Sequence, residues 1–248
     1  VGVVVLSVAN VIFPRLSRMT ANDENGSVFD TVIMTVRILS YLIIPMTAGV
    51  MALSEPVISI VYQRGAFTAF DVSITSRALF FFSLGMFGYG MQTIISRAFY
   101  AEQNGRIPFI AGIVSIIVNI VLCGLLVDRM EVAGLALASA ISSTVYGLAL
   151  YVPLRKRFKD RDTNHFAGSI IKMIFCAAVM TAVIVPMRNA LWDAASGLMI
   201  KIAVIAVLVI VGMAVYIIMS RIIRLYEAQA AFDFVKNILG RKRNGTEE

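Results

Sequence analysis

Seven apolar runs, most of about 20 residues, constrain this chain more than any other feature of its sequence. A helix needs about 20 apolar residues to cross the ~30 Å hydrocarbon core of a bilayer. Inside lipid such a segment must be helical, because every backbone N–H and C=O group has to find a partner within the protein. The sequence therefore predicts an all-α fold, a polytopic transmembrane helical bundle. The predicted spans are approximately 1–14, 31–53, 75–98, 108–127, 132–152, 168–187 and 198–220.

The composition supports a membrane protein and argues against other classes. Hydrophobic residues make up 59% of the 248 residues and charged residues only 15%, against roughly a quarter in soluble domains. The net charge of +7 does not indicate nucleic acid as a partner, because basic residues beside apolar spans usually set topology. Cys123 and Cys176 lie inside spans and fit no disulfide framework. We expect no metal, no cofactor and no enzymatic activity, since no nucleophile–base pair or metal cluster is recognisable.

The distribution of Lys and Arg predicts the orientation. The intervals 15–30, 97–107 and 154–167, together with 221–248, hold 15 basic residues, whereas the remaining intervals hold three. The positive-inside rule places the first group in the cytoplasm. We therefore expect a multi-pass protein of the cell membrane with its N-terminus outside and its C-terminus in the cytoplasm. Val1 stands inside an apolar run, so we also expect a truncated first span and a piece of a longer protein.

The intervals between spans contain signals for turns and helix ends. Residues 57–62 form a short amphipathic run, which we expect along the membrane interface. Thr68 and Asp71 can cap the following helix, and Pro108 suits the first turn of its own helix. The interval 128–131 is so short that spans four and five should form a tight antiparallel pair.

Beyond the last span, the sequence predicts a cytoplasmic amphipathic helix and a basic tail over 221–248. Apolar residues recur at helical spacing over 222–239, and charged residues such as Glu227 stand between them. Such a helix lies along a membrane surface. Arg241-Lys242-Arg243 would then favour anionic headgroups of membrane lipids. A tail that only follows the positive-inside rule, without a specific ligand, is the alternative.

Arg37 is the candidate substrate-binding residue. It lies about two turns inside the second span, where a guanidinium costs about 3 kcal/mol or more unless it pairs or reaches water. One interpretation is an arginine whose side chain extends back to the cytoplasmic face. The other is an anion-binding group on a wet cavity, because the planar guanidinium donates two parallel hydrogen bonds to phosphate and stays charged.

Pro45 lies in the middle of the same span and is the candidate conformational hinge. Proline removes one backbone hydrogen bond and bends a helix. A bendable helix that carries a buried arginine suits a transporter that changes the side to which it opens. Bent helices are also common in membrane proteins without such a role, so a purely structural interpretation stays open.

Polar and small residues inside the spans indicate helix packing. Asn119 lies in the middle of the fourth span and Ser139 in the fifth, and we favour hydrogen bonding between helices for both. The run 85–90 and the stripe Gly134, Ala138, Ser142 predict seams where helices approach closely. No Asp or Glu lies in the interior of a predicted span, so the sequence offers no acidic site for a coupling ion.

Four short motifs give the chain a family resemblance. They are Phe13-Pro14-Arg15-Leu16-Ser17, the run 63–71, the run 97–101 and the run 134–139. The resemblance rests most on Arg64, Gly65, Phe67, Asp71, Arg97 and Tyr100. In order and spacing the motifs resemble the second half of the MurJ/MviN family of lipid II flippases. The resemblance implies one lobe of a MATE-like exporter fold, the superfamily of multidrug, oligosaccharidyl-lipid and polysaccharide exporters.

The resemblance also implies a domain organisation and a function. Residues 1–152 would be a second-lobe bundle of five spans, and 153–220 two additional C-terminal helices. Such a flippase moves the undecaprenyl-pyrophosphate-linked precursor of peptidoglycan from the inner to the outer leaflet by alternating access. Arg37 would bind the pyrophosphate in a cavity shared with an N-terminal lobe, which this chain lacks. Asn119 and Ser139 could contact sodium, although Cys123 stands where a carboxylate would help.

Two further hypotheses stay open at this point. The chain could belong to a related polysaccharide-lipid flippase or drug exporter of the same superfamily. It could also be a membrane scaffold that transports nothing. In that case Arg37 would be dispensable.

Overall fold

The computed structural model describes residues 1–22, 25–157, 164–193, 197–225 and 227. Over these ranges the chain forms helices joined by short turns, which confirms the all-α prediction. The helices are α1 (Gly2–Ala21), α2 (Asn25–Ala52), α3 (Ser54–Tyr62), α4 (Ala69–Leu84), α5 (Met86–Ala101), α6 (Arg106–Arg157), α7 (Asn164–Leu191) and α8 (Leu198–Ile222).

Six helical stretches of the described chain are long and apolar enough to cross a membrane. One of them, Ala69–Ala101, combines α4 and α5, which meet at Gly85. Another lies within α6, whose 52 residues would measure about 78 Å as a single straight helix, far more than a bilayer core. α6 must therefore turn back on itself.

The reversal of α6 occurs at Glu131, which has φ 50° and ψ −129°. A Cβ atom at Gly134 would lie 2.5 Å from the carbonyl oxygen of Leu126, so the chain passes very close to itself on either side of the turn. Two antiparallel arms result, 106–130 and 132–157. The predicted tight pair of spans four and five is confirmed, and with these arms the seven predicted spans are all present.

α2 is the helix that two hydrophobic cores share. One core joins α2 to α1, α5 and α6, and its buried residues on α2 include Val36, Leu39 and Ile43. The second core joins another face of α2, including Tyr41 and Ala52, to α7 and α8. The last two helices therefore pack on α2. The division at residue 152 stays a prediction.

The α4–α5 stretch packs against the second arm of α6 through small residues. A Cβ atom at Gly85 would lie 2.7 Å from the Cα of Ala140, and one at Gly88 would lie 2.6 Å from the Cα of Thr144. Backbone meets backbone here, a packing that membrane helices achieve through glycine. The predicted seam over 85–90 is confirmed.

Pro45 leaves one backbone group of α2 without its helical partner, and α8 supplies a replacement. α2 continues from Asn25 to Ala52 through Pro45, which has no N–H for the carbonyl of Tyr41 four residues earlier. The hydroxyl of Tyr216 donates to that carbonyl at 3.1 Å. The rings of Tyr41 and Tyr216 lie 5.2 Å apart, and the Tyr41 hydroxyl is 2.9 Å from the Ser220 hydroxyl.

The chain turns back at the end of α8 through a left-handed residue. Arg224 has φ 54°, its N–H bonds the Arg221 carbonyl, and the N–H of Leu225 bonds the Ser220 carbonyl. These two bonds make a Schellman motif, which ends a helix and redirects the chain. Leu225 and Glu227 are consequently buried, at 4% and 2% exposure.

This turn corrects the prediction of a surface-lying helix from residue 222. A helix cannot run unbroken from residue 222, because the left-handed Arg224 interrupts it and directs Leu225 and Glu227 into the bundle. The remainder of the predicted amphipathic helix and the basic Arg241-Lys242-Arg243 lie outside the described residues.

The ends of α3, α4 and α6 follow the sequence signals. Thr68 and Asp71 form a capping box at the start of α4, and Pro108 lies in the first turn of α6, as predicted. α3 begins at Ser54, three residues before the predicted amphipathic run, and buries Pro56 and Ile58. It packs against α4 and α8.

Replacing Tyr216 by Phe tests the role of its hydroxyl. We expect a loss of about 1–2 kcal/mol in the free energy of unfolding, because a buried carbonyl loses its donor. In a Pro45→Ala background the same replacement should cost far less, since alanine restores the missing N–H. SDS denaturation of the detergent-solubilised chain measures the four free energies of this cycle. An equal loss of unfolding free energy in both backgrounds would contradict the proposed role of the Tyr216 hydroxyl as the donor to the Tyr41 carbonyl.

Replacing Gly88 by Ala tests the glycine seam. We expect destabilisation by about 1–3 kcal/mol, because the new methyl group meets the backbone of Thr144 and forces the helices apart. Gly124→Ala is the matched control. Nothing lies within 4 Å of its new Cβ, so it should be neutral or slightly stabilising. Thermal unfolding in detergent gives both values, and a neutral Gly88→Ala would refute the close approach.

Candidate functional site

A long apolar groove runs between α2, α4, α6 and α7. Its volume is about 1220 Å³, larger than the roughly 300–1,000 Å³ typical of small-molecule pockets. On α7 the lining residues recur every three or four positions, from Ile170 to Arg188, and so form one face of the helix. Arg188 lies 18 positions after Ile170, a rise of about 27 Å that is close to the thickness of a bilayer core. The groove therefore extends along most of a membrane-spanning helix.

The middle of the groove is suited to hydrocarbon. Its wall on α4 consists of Phe80, Phe81 and Leu84, and Ile44 faces it from α2. Thr47 also lines it, and the buried hydroxyl oxygen of this residue has no hydrogen-bond partner within the described part of the chain. Such a surface is suited to an extended apolar chain and offers few partners to a polar solute.

Arg37 lies beside one end of the groove, which we call the Arg37 end. Its Nε donates to Oε1 of Glu227 at 2.7 Å, and its Nη2 donates to the hydroxyl of Ser169 at 3.0 Å. Ser169 directly precedes the first lining residue of α7, Ile170. The side chain of Arg37 is 24% exposed and that of Glu227 only 2%.

One of the two interpretations of Arg37 places it on a hydrated cavity, whereas in this structure its guanidinium meets a counter-ion. Its guanidinium is bound to a carboxylate from the C-terminal end of the same chain, and Arg37 itself does not line the groove. The physical reason is the cost of an unpaired charge in an apolar medium, which a close counter-ion reduces. Binding of substrate to Arg37 stays a prediction.

Three arginines surround the opposite end of the groove, which we call the Arg188 end. Arg188 donates from Nη1 to the Ala52 carbonyl at 3.0 Å, and from Nε and Nη2 to its neighbour Asn189. Arg77 of α4 and Arg129 of the α6 turn line the same end, as does Glu55. Ser169 and Arg188 are 19 residues apart on α7, so the two ends are separated by about 28 Å.

Sequence reasoning missed most of these charges. Arg77 lies within the third predicted span and was not singled out, while Arg129 and Arg188 counted only toward topology. Glu227 was assigned to the polar face of a surface helix. One sequence signal points to such a partner, because a carboxylate would stabilise Arg37 within its span and the predicted spans themselves contain none.

Pro45 lies between two residues that face or adjoin the groove, Ile44 and Thr47. A change in the bend of α2 at this position would therefore alter the width of the groove. Its role as a hinge stays a prediction.

The side chains of Asn119 and Ser139 bond different partners. Nδ2 of Asn119 donates to the Ser142 hydroxyl at 3.1 Å across the two arms of α6, which confirms the predicted interhelical bond for this residue. The hydroxyl of Ser139 donates to the Leu135 carbonyl of its own helix, and Cys123 donates to Asn119. An ion contact by Asn119 or Ser139 stays a prediction. No cluster of three His, Cys, Asp or Glu occurs over the ranges that the structure describes.

The motif residues that follow α3 build a turn. Gly65 has φ 60°, a left-handed conformation that glycine adopts without strain. Nη2 of Arg64 donates to the Val61 carbonyl at 2.8 Å, and the ring of Phe67 lies 5.9 Å from that of Tyr62. These residues fix the entry into α4.

The remaining motif residues also serve the scaffold. Asp71 accepts hydrogen bonds from the backbone N–H and the hydroxyl of Thr68 in the capping box. The guanidinium of Arg97 lies 5.5 Å from the ring centre of Phe13, which joins two of the sequence motifs in a cation–π contact. Tyr100 is half exposed. None of the six motif residues lines the groove.

Comparison with known proteins identifies relatives of this chain. The family model described as Lipid II flippase MurJ matches residues 1–207. A protein named probable lipid II flippase MurJ from Thermotoga maritima is 28% identical over 224 residues, covering 90% of this chain and 44% of the relative. The lipid II flippase MurJ of Thermosipho africanus is 31% identical over 174 residues, covering 70% of this chain and 35% of the relative.

A solved structure shares the fold. The structure of a lipid II flippase MurJ in an inward closed conformation superposes with a TM-score of 0.70 at 26% identity, covering 90% of this chain and 43% of that one. This chain thus spans less than half the length of each of these relatives. Because the family model extends over most of its residues, the chain is a multi-pass membrane protein that belongs to the MurJ family of lipid II flippases.

Proposed function

We propose that this chain forms one lobe of a lipid II flippase, a transporter and not an enzyme. It would move the undecaprenyl-pyrophosphate-linked precursor of peptidoglycan from the inner to the outer leaflet by alternating access. The observation that carries this proposal is a groove about 27 Å long, apolar in its middle and with guanidinium groups near both ends. Membership of the MurJ family supports it.

The groove matches the two chemical parts of such a substrate. A polyprenyl chain is a hydrocarbon, and burying it against Phe80, Phe81 and Ile44 contributes about 25 cal/mol per Å² of apolar surface. The diphosphate needs hydrogen-bond donors with positive charge, and arginine provides these in a planar fork. The diphosphate would be costly in the apolar middle of the groove, and the polyprenyl chain would gain little beside the arginines.

The distribution of basic residues supports an orientation for the groove. The basic interval 154–167 precedes Ser169, so the Arg37 end would face the cytoplasm. The interval 187–197 lies at the opposite end, and Arg188 is its single basic residue. The N-terminus of the chain would then lie outside and the C-terminus in the cytoplasm.

Arg37 would bind the diphosphate in exchange for Glu227. With an empty groove, the carboxylate of Glu227 neutralises the guanidinium in its apolar surroundings. An arriving diphosphate brings more negative charge and can take over the donors of Arg37. The pair would then act as a resting state that the substrate opens.

Transport would also need a second wall and a moving element. The relatives are more than twice as long as the part that this chain matches, and the remaining length would supply the opposing lobe. Pro45 in α2 would permit the bending that widens or narrows the groove. Membrane lipids and lipid II itself are the partners that this proposal requires.

Depletion and rescue test the function. We expect cells depleted of the protein to accumulate lipid II in the inner leaflet, measured with a membrane-impermeant label that reaches only the outer leaflet. Wild-type protein should restore labelling, whereas Arg37→Ala should lower it by about tenfold or more, because the charge-assisted bonds to diphosphate are lost. Arg106→Gln is a control with the same loss of charge at an exposed residue outside the groove.

The outcomes separate the competing hypotheses. Normal labelling and growth with Arg37→Ala would support a scaffold and reject the proposed role of Arg37. Normal lipid II distribution in depleted cells, combined with accumulation of another lipid-linked sugar or of a drug, would reject lipid II as the substrate.

Glu227→Gln tests the exchange at Arg37. We expect the 248-residue chain in phosphatidylcholine nanodiscs to bind undecaprenyl diphosphate about threefold to tenfold more tightly with this variant, because the competing charge is removed. Titration monitored by native mass spectrometry gives the affinities. In an Arg37→Ala background the replacement should have no such effect. Weaker or unchanged binding with Glu227→Gln alone would contradict the exchange.

A further inference from the structure

The Arg188 end of the groove carries more positive charge than its surroundings neutralise. Three guanidinium groups line it, those of Arg77, Arg129 and Arg188, against the single carboxylate of Glu55. Asp128 and Glu131 flank Arg129 in the chain but do not line the groove. Like charges repel strongly where an apolar wall lowers the dielectric constant, so this end favours a multivalent anion.

The three arginines are not equivalent. Arg188 uses all three of its side-chain nitrogens, holding the Ala52 carbonyl at the end of α2 and the side chain of Asn189. Arg77 and Arg129 are exposed, and the side chain of neither makes a hydrogen bond or ion pair within the portion of the chain that the structure describes. Their donors are available to a ligand, while Arg188 stabilises the rim.

The depth of Arg77 adds an independent argument. It follows the helix cap Thr68 by nine residues and so lies about 13 Å along α4 from the start of that helix. Phe80 and Phe81 follow within the next turn and line the same groove. An arginine at such a position in a membrane helix is costly unless it meets an anion or water.

We infer that Arg77 and Arg129 form a second diphosphate site for a polyprenyl-linked lipid, at the opposite end of the groove from Arg37. This inference rests on the proposed function and extends it to the far leaflet. The two ends of the groove are about 28 Å apart along α7, so a lipid can place its diphosphate at either end and its hydrocarbon chain between them. The second site would receive the headgroup after translocation and hold it before release.

Charge complementarity selects this occupant over an ordinary phospholipid. A phosphatidylglycerol headgroup has one negative charge, whereas a diphosphate offers several acceptor oxygens for two arginine forks. The groove also continues along most of α7, as an extended polyprenyl chain requires and a neutral solute does not.

The test uses the complete 248-residue chain in phosphatidylcholine nanodiscs with undecaprenyl diphosphate as the probe. We expect Arg77→Gln combined with Arg129→Gln to weaken binding at one of two sites by tenfold or more, measured by native mass spectrometry. Arg106→Gln should leave both affinities unchanged, and thermal unfolding should be unaffected by the double replacement. Adding Arg37→Ala to the double variant should remove the remaining site.

The arms of this experiment distinguish the two proposals. If Arg37→Ala abolishes all binding and the double variant binds as wild type, the second site is overturned and the role of Arg37 stands. If only the double variant loses binding, the second site stands and the role of Arg37 falls. The affinities of the double variant and the wild type for undecaprenyl diphosphate could also become equal in nanodiscs that contain phosphatidylglycerol. The site then binds any anionic headgroup, and the preference for diphosphate is overturned.

Discussion

Polar groups of a helix in lipid are costly without a partner, and two of those on α2 obtain theirs from other parts of the chain. One is the guanidinium of Arg37, and the other is the Tyr41 carbonyl left without a donor by Pro45. Both partners come from the C-terminal part of the chain, Glu227 and Tyr216 respectively. Hydrogen bonds and an ion pair therefore hold α7 and α8 on α2, in addition to the second hydrophobic core.

The turn after α8 connects local backbone geometry to this site. An arginine in a left-handed conformation costs about 1–2 kcal/mol relative to glycine. Burial of Leu225 and the ion pair of Glu227 with Arg37 offset that cost, because the Schellman motif at Arg224 directs both residues into the bundle. A strained backbone position thus supports a buried ion pair about one helical turn further along the chain.

The sequence predicted those features that depend on composition and on neighbouring residues. Hydropathy located the spans, the capping box at Thr68 and Asp71 marked the start of α4, and glycine at 85 and 88 indicated close packing. What it could not predict depends on contacts between residues far apart in the chain. The pairing of Arg37 with Glu227 joins positions 190 residues apart, and the groove gathers arginines from three helices. The periodicity of residues within one helix does not show which residues of other helices it will contact.

The glycine seam between the α4–α5 stretch and α6 has a mechanical consequence. With backbone touching backbone at Gly85 and Gly88, no side chain remains there that could rotate and absorb displacement. The α4–α5 stretch and the second arm of α6 would then travel as one rigid block. Any opening or narrowing of the groove would have to arise on its other side, which α2 and α7 form.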